Sequence, residues 1–406
     1  MLQKGLGGDR NMAKKNGLSP AGSLSTGPAR IRQLNRQAVL SYIRYEGPNS
    51  RSALGPALSL SGAAVSSVVN ELLDEDLLRE SKGTVRDGRQ GRPISLLELN
   101  PDAAYALGIV LRPSETRTEL AMAWVDYTGH ATSLADIEVT THRNVDDLIK
   151  TIEEGVRSLE TAVPDAPSIV GLTIAVPGVV ENDSIPMSPK LRCIEGSAFV
   201  EGIKQAIPYP VSFQNDVNLA ATSELYQQPR LRELSFAYLY LYAGVGSGFS
   251  FQGKILSGSG GWAGEIGPLH LNRRDPNTRS FEQMLSTDGS LAQLLISLGH
   301  PPQALDELAK YIDQREPSVL AVIDTYCEDL CDAINMLNSI LDLDEVLIDF
   351  RSVKLFERLR PRLEILLQGA HRKPVISTPI MGNEATLNGA ALTALNLNLE
   401  EIEFRS

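Results

Sequence analysis

Two stretches of this chain carry residue types and spacing that suit a ligand site. Asn215 and Asp216 follow a short apolar run that predicts a strand over 211–214. Nine glycines then fall between Gly244 and Gly267, directly after an aromatic run that predicts another strand. Because glycine permits positive φ and lets a ligand approach the backbone closely, we expect tight turns that line a site.

Simpler explanations exist for both stretches. A flexible linker would explain the glycines, but interleaved residues such as Val245, Phe249 and Ile266 form an apolar pattern for which a linker has no use. Turn packing without a ligand remains the alternative. Asn215 and Asp216 could simply cap the helix that follows, and capping can coexist with binding. In open α/β sheets, ligands lie beyond the carboxyl ends of strands, which is where this pair falls.

The totals limit the class of protein. A chain of 406 residues exceeds one ordinary core, so two or three domains are expected. No apolar run reaches about 18 residues, and the N-terminus lacks the apolar segment of a secretory signal. Cys193, Cys327 and Cys331 form neither a disulfide framework nor a sufficient metal site. We therefore expect a cytoplasmic protein with no cofactor, no metal and no membrane partner.

The net charge of −12 hides an asymmetry. Residues 1–100 contain 14 Lys and Arg against 9 Asp and Glu, a balance of +5, whereas the remainder contains 24 against 41, a balance of −17. A basic N-terminal part on an acidic body suggests that the N-terminal part contacts a polyanion.

The pattern within residues 30–100 favours a winged helix-turn-helix. Apolar spacing predicts a helix over 31–45, a short second helix that Ser50 can cap, and a third helix that Ser61 can cap. The third helix has a predicted buried stripe of Val65, Val68, Leu72 and Leu73. Its free face is small and polar, as a helix that enters a major groove requires.

Two predicted strands, 77–79 and 94–99, enclose a loop of glycines and arginines that would form the wing. Flexible arginines can enter a minor groove, where the potential is most negative. The predicted DNA-binding residues are Ser61, Ala63, Ser66, Ser67 and Asn70 on the helix, with Arg86, Arg89 and Arg92 on the wing. Since the helix face lacks Lys and Arg, wing and backbone contacts are expected to be important. The alternative is a small packing module with a solvated basic hairpin.

The rest of the chain alternates strands and helices, which predicts an α/β body. Strands are expected over 106–111, 118–125, 169–176 and 345–348, and helices over 145–159 and 386–395.

The ordered set of motifs resembles the ROK family, named for repressors, open reading frames and sugar kinases, and in particular its transcription-regulator branch. The motifs are the winged helix-turn-helix, Pro177-Gly178, Asn215-Asp216, the Gly244–Gly248 turn and Gly264-Glu265-Ile266-Gly267. The resemblance covers roughly residues 30–400. It implies an α/β fold in which the winged domain precedes a two-lobed, actin-like (ribonuclease-H-like) ATPase-type body.

The implied domains are a disordered tail (1–29), the winged helix-turn-helix domain (30–100), a first lobe (101–218, completed by about 385–402) and a second lobe (219–384). The second lobe would carry the effector cleft and an oligomerisation surface.

The resemblance also implies a sugar site. It assigns sugar hydroxyls to Asn215, Asp216 and Glu265, and a further sugar-contacting glutamate to Glu282. Carboxylates and carboxamides offer the acceptors and donors that a polyol needs. The other expected effector-binding residues are Gly178, Lys190 and His270. Lys190 stands where the family has asparagine, which suggests an acidic or atypical sugar. For Glu265, the alternative to sugar binding is a surface ion pair.

Departures from the family pattern argue against catalysis. Residues 108–116 lack the Asp-x-Gly-x-Thr phosphate loop, and Asp349-Phe350 replaces the Gly-Gly pair that borders the nucleotide. The cysteine-rich zinc knuckle is absent, and Pro268 replaces its histidine. Phosphoryl transfer depends on positioning and charge neutralisation, so no enzyme is expected.

We therefore expect a sugar-responsive transcriptional repressor of carbohydrate uptake or catabolism genes, which binds a pseudo-palindromic operator as a homodimer or homotetramer. Two alternatives stay open: a metal-independent ROK sugar kinase with an appended DNA-binding domain, and a ligand-free oligomeric DNA-binding protein.

Overall fold

The computed structural model describes residues 27–83, 94–113, 118–139, 144–162, 169–270, 278–369 and 372–399. Its N-terminal part, residues 27–83 and 94–99, is called the head below and consists of three helices and an antiparallel pair of strands. These elements are α1 (Pro28–Glu46), α2 (Arg51–Leu58), α3 (Gly62–Asp74), β1 (Leu78–Gly83) and β2 (Ile94–Leu99).

Helix α3 largely follows its predicted pattern. Ser61 caps it by accepting a hydrogen bond from the amide of Ala64 at 3.2 Å. The buried stripe is Val65, Val68, Val69 and Leu72, whereas Leu73 is only half-buried. The stripe keeps the three- and four-residue spacing of one helix face, and that face includes Val69.

The capping prediction for Ser50 is wrong. Ser50 occupies the N-cap position of α2, but its hydroxyl lies 3.1 Å from that of Ser52 and accepts no backbone amide of the helix.

The first sheet of the body has the strand order β5-β4-β3-β6-β9. Its strands are β3 (Tyr105–Pro113), β4 (Thr118–Asp126), β5 (Ala131–Val139), β6 (Ile169–Val176) and β9 (Val211–Asn215). Strands β3, β4 and β5 are antiparallel, and β6 and β9 continue the sheet in parallel. Around it lie the hairpin β7 (Val179–Glu181) and β8 (Ser184–Met187), with helices α4 (Val145–Ala162) and α5 (Ala198–Ala206).

The second sheet repeats this plan in the order β12-β11-β10-β13-β14. Its strands are β10 (Ser235–Leu241), β11 (Val245–Phe251), β12 (Lys254–Ile255), β13 (Glu345–Phe350) and β14 (Val375–Ser377). Three antiparallel strands are again followed by two parallel ones. In both sheets the chain therefore visits the positions in the order three, two, one, four, five.

Helices cover the second sheet and link it to the first. They are α6 (Asp216–Gln227), α7 (Phe281–Leu285), α8 (Ser290–Ser297), α9 (Leu305–Asp313), α10 (Pro317–Leu341), α11 (Val353–Leu366) and α12 (Ala385–Leu397). Helices α6 and α12 pack directly on each other, and α12 also packs on β3 and β6.

The head shares a hydrophobic core with the body. One continuous cluster of buried residues includes Val39, Leu40 and Ile43 of α1, Leu97 of β2 and Leu395 of α12. The guanidinium of Arg44 also lies over the ring of Tyr127, with Cζ 4.7 Å from the ring centroid. The head is therefore seated on the body rather than tethered to it.

Within the described ranges, no single helix is long and apolar enough to cross a membrane. The bent pair α2 and α3 passes such a test only when the two helices are joined across a break.

Gly389 allows α6 and α12 to touch through their backbones, because a Cβ there would lie 1.8 Å from the carbonyl oxygen of Leu219. We predict that Gly389→Ala lowers the free energy of unfolding by about 2–4 kcal/mol, although alanine is normally the better helix former. The measurement is the thermal melting temperature. Gly62→Ala is the control, since no atom lies within 4 Å of a Cβ at that exposed position. Equal melting temperatures for both variants would contradict this packing.

Candidate ligand-binding site

Asn215 and Asp216 lie where β9 ends and α6 begins, at the carboxyl end of a parallel strand. The Asn215 side-chain oxygen accepts hydrogen bonds from the amides of Val217 and Asn218, both at 3.0 Å, so it caps α6. Its amide nitrogen donates to the carbonyl of Gly178 at 3.2 Å. Capping, the alternative offered by the sequence, is thus real, and it fixes this pair at the mouth of the sheet.

The predicted turn at Gly244–Gly248 is only partly correct, because Gly244 lies in the turn that joins β10 to β11 but residues 245–248 belong to β11. Strand β11 pairs with β10 from Val245 to Phe251. A Cβ on Gly246 would lie 2.9 Å from Val217 Cγ2, and one on Gly248 would lie 3.1 Å from the Val217 carbonyl oxygen. The glycines therefore let the first turn of α6 rest directly on β11.

The second part of the stretch forms turns that carry Glu265. Gly264 has a φ of +98°, and a Cβ there would lie 1.9 Å from the carbonyl oxygen of Ser247. The amide and hydroxyl of Ser247 both donate to the Gly264 carbonyl, at 3.1 and 2.9 Å. Only glycine suits this φ value and this close approach. Glu265, the next residue, is therefore held beside the first residues of β11.

Glu282 is held in the same place from a different segment. Ser280 caps α7 in a capping box with Gln283. Glu282 Oε2 accepts a hydrogen bond from the amide of Val245 at 3.1 Å, and the Glu282 amide donates to the Gly267 carbonyl at 2.9 Å. The carboxylate therefore lies at the start of β11.

The acidic side chains of this site are close enough to interact through their charges. Burial raises the pKa of Asp216 to about 7, with a further rise from the charge of Glu265 and an opposing effect from Lys190. Burial, together with the charge of Glu282, also raises the pKa of Glu265. Clustered carboxylates with raised pKa values are typical of functional sites.

Lys190, in the segment between β8 and α5, lies close to this cluster. Its Nζ would lie 2.9 Å from a Cβ on Gly244, and Glu282 Oε1 would lie 3.7 Å from the same point. The glycine therefore leaves room for the ammonium group beside the glutamate.

His270 differs from its predicted place. It forms an isolated β-bridge with Ser280, and its Nδ1 lies 2.8 Å from the carbonyl oxygen of Pro268. In the described part of the chain, no hydrogen bond or charge interaction joins it to Asp216, Glu265 or Glu282.

The sequence did not reveal a second polar cluster beside the first. Tyr238 and Tyr242 donate to the two oxygens of the buried Asp349, at 2.7 and 3.0 Å. Tyr240 stacks on Tyr242 with centroids 4.2 Å apart, and the charge of Asp216 contributes to the raised pKa of Tyr240. Tyr242 also lies 3.1 Å from Asn383 Oδ1, which joins the second sheet to the segment before α12. The alternation of tyrosines at 238, 240 and 242 was the available signal.

The predicted DNA-binding residues divide into two groups. Ser61, Ala63, Ser66, Ser67 and Asn70 are all exposed on α3. Arg86, Arg89 and Arg92 lie outside the described residues. Asn70 accepts a hydrogen bond from Arg51 at 2.7 Å, so a cation borders the exposed face after all.

Across the described ranges, no three His, Cys, Asp or Glu side chains converge as a metal site. Residues 272–280 replace the zinc knuckle of the family pattern, and of these, residues 272–277 fall outside the described ranges.

We predict that Asp216→Asn stabilises the protein more at pH 8 than at pH 5. The folded-state pKa of about 7 lies above the ordinary value of 3.8, so the folded protein bears the cost of ionisation progressively as pH rises through that window. The gain at pH 8 should be about 1–3 kcal/mol, because one pKa unit is worth about 1.4 kcal/mol and cleft solvent reduces the full effect. Melting temperatures at both pH values are the measurement. A difference that is constant or larger at pH 5 would contradict the raised pKa.

Comparison with known proteins agrees with this architecture. The model of the ROK family matches residues 116–396. The chain is 24% identical over 382 residues to the xylose repressor of Staphylococcus xylosus, covering 91% of this chain and 97% of that one. It is 27% identical over 254 residues to the xylose repressor of Bacillus spizizenii, covering 61% and 62%.

Among solved structures, a ROK family transcriptional regulator described as a homologue of the E. coli MLC protein superposes with a TM-score of 0.73. The two are 22% identical, and the match covers 92% of this chain and 99% of that one. At this identity the likeness concerns the fold. With the family match over more than half of its length, this chain belongs to the ROK family.

Proposed function

We propose that this protein is a sugar-responsive transcriptional repressor whose head is a winged helix-turn-helix and whose body binds a sugar in the cleft beside α6. The observation that carries the proposal is the cluster of Asn215, Asp216, Glu265 and Glu282, fixed by backbone contacts at the ends of β9 and β11. The names of two relatives, both xylose repressors, support a pentose as the effector class.

The charge balance of the cluster favours a neutral polyol. The cluster contains three carboxylates, those of Asp216, Glu265 and Glu282, and the ammonium group of Lys190 lies near Asp216 and Glu282. An acidic sugar would meet net repulsion from the remaining carboxylates. Hydroxyl groups, by contrast, can donate to an ionised carboxylate and accept from a protonated one, so a site in which the pKa of Asp216 is about 7 suits them.

A sugar kinase is the second candidate, because a pKa of about 7 also suits Asp216 as a general base. The nucleotide side of the cleft argues against it. Asp349 replaces the family's Gly-Gly pair, and its carboxylate is bound by two tyrosine hydroxyls where phosphate binding would need donors or cations.

DNA binding is assigned to the exposed face of α3 and to the loop between β1 and β2. The small side chains of α3 would let the helix approach base edges, and Arg86, Arg89 and Arg92 would contact the minor groove. A homodimer or homotetramer in the cytoplasm would match a pseudo-palindromic operator, since two-fold symmetry in the protein requires it in the site.

We predict that D-xylose, D-glucose or N-acetyl-D-glucosamine raises the melting temperature of the wild-type protein, and that Glu282→Gln abolishes the rise. A sugar at about 100 times its Kd stabilises by about 2.7 kcal/mol. The amide has only one acceptor oxygen, so it cannot both accept from the Val245 amide and accept a sugar hydroxyl through a second oxygen, as the carboxylate would. Glu201→Gln, an exposed change on α5, is the matched control and should keep the full shift.

If none of these sugars changes the melting temperature, the ligand-free alternative gains. ATP turnover in the presence of any of them, lost in Asp216→Asn, would identify a kinase instead.

We predict that Ala63→Glu weakens binding to a duplex from the promoter region of the protein's own gene by at least tenfold, as measured by fluorescence anisotropy. The carboxylate would face the phosphates, yet an acid in the first turn of a helix favours the helix dipole, so stability should be unchanged. Ser318→Glu puts the same charge at the matching second position of α10 and should leave DNA affinity within about twofold. Equal affinities for both variants would remove α3 from the DNA interface.

A further inference from the structure

Helix α6 joins the candidate ligand site to the head. Its first residue is Asp216, and Asn215 caps it. Its twelve residues span about 18 Å and end at Gln227, beside Tyr226, which packs against the hydrophobic cluster shared by head and body. The two ends of one helix therefore lie at the two places whose states a regulated DNA-binding protein must couple.

The helix is built to move as a unit. Ser223 donates to Asn388 of α12 at 2.9 Å, and the buried carboxylate of Glu224 accepts hydrogen bonds from the amides of Ile380 and Met381 at 3.2 and 3.0 Å. At Gly389 the two helices approach through their backbones, so no side chain at that point can absorb a displacement. A shift at the first turn is thus carried along the helix.

Arg232 connects the far end of α6 to the head. Its guanidinium donates to the carbonyls of Leu225 and Tyr226, both at 3.3 Å, which closes the C-terminal turn with a favourable cation. The same guanidinium lies over the ring of Tyr45, with Cζ 4.0 Å from the ring centroid. One side chain therefore touches both α6 and the last turn of α1.

Within the head, α1 is tied to α3. Arg36 of α1 is almost fully buried and pairs with Glu75 at 2.5 Å and with Glu71 at 3.6 Å, at the C-terminal end of α3. A change in the seat of α1 therefore changes the position of α3, whose opposite face is exposed.

We infer that the contact between Arg232 and Tyr45 transmits the state of the α6 N-terminus to the head. The biological meaning of this contact rests on the proposed function. A sugar that engages Asn215 or Asp216 would compete with the capping hydrogen bonds of α6, and Arg232 would pass the resulting shift to α1. A cation–π contact of this kind changes an equilibrium by about two- to fivefold, which suffices for a modest allosteric effect. Arg232 and Tyr45 are positioning residues that need not touch the ligand.

The test uses amide hydrogen exchange on the full chain and needs neither sugar nor DNA. Asn215→Ala removes the cap and should speed exchange in the first turn of α6 by about fivefold. In the otherwise wild-type protein it should also speed exchange in residues 42–46 of α1 by about two- to fivefold. Combined with Arg232→Gln, the effect in α6 should persist and the effect in α1 should vanish.

Two controls separate coupling from general destabilisation. Ser352→Ala removes a comparable cap, since Ser352 accepts from the Leu355 amide of α11 at 3.0 Å, and it should leave α1 unchanged. Tyr45→Phe keeps the ring face and should retain the coupling, whereas Tyr45→Leu should lose it. An α1 response that is absent, or that is equal with Arg232 and with Gln at 232, would overturn the inference. Because these readouts involve no ligand, failure of the sugar or duplex experiments would count against the proposed function alone.

Discussion

The close backbone contacts of α6 are the constraint on which the rest of the structure depends. Gly246 and Gly248 bring β11 against the first turn of α6, and Gly389 brings the backbone of α12 against the backbone of α6. A side chain at either of the first two positions would hold α6 away from β11 of the second sheet. A side chain at the third would hold α6 away from α12. Since α6 begins at Asp216 and β11 leads to Glu265, the contacts that bury the helix also bring the two carboxylates together. The geometry of the site is therefore set by packing between regular elements, which is more precise than a set of free loops.

Holding these carboxylates together costs electrostatic free energy in the folded protein. Asp216 and Glu265 are held close to other acids and away from water, so the pKa of each is raised. Lys190 offsets only part of that repulsion. Two of these carboxylates also have structural partners, since Asp216 accepts from the Val217 amide and Glu282 from the Val245 amide, yet neutral residues would avoid the repulsion between the acids. Retained, costly polar groups at the carboxyl ends of strands are best explained by a ligand that satisfies them.

Much of the fold, and part of the site, could be predicted from the sequence. The apolar spacing of α3 and the runs that form β6 and β13 reflect local periodicity, which a single sequence displays. Strand β11 could not be recognised in the same way, because its glycines have low strand propensity and its pairing with β10 and β12 stabilises it. The contacts of Asp349 with Tyr238 and of Arg232 with Tyr45 join residues far apart in the chain, so no local pattern encodes them. Residue types indicated the acidic cluster, but only the tertiary contacts define which atoms face each other.

The two sheets share one strand order, yet their cleft-facing ends have different chemistry. Asp216, which follows the end of β9, brings a carboxyl group with a raised pKa to this place, whereas the buried Asp349 near the end of β13 already accepts hydrogen bonds from two tyrosine hydroxyls. Under the proposed function, a site that binds hydroxyl groups and places the Asp349 carboxylate towards phosphate would take up a sugar without converting it. Binding energy then has no reaction to drive and can only shift conformational populations, by as much as the two states differ in affinity. Because the head shares its core with the body, a shift of α6 under the proposed function would also move the head, and a ligand at the site would thereby affect a partner bound at α3.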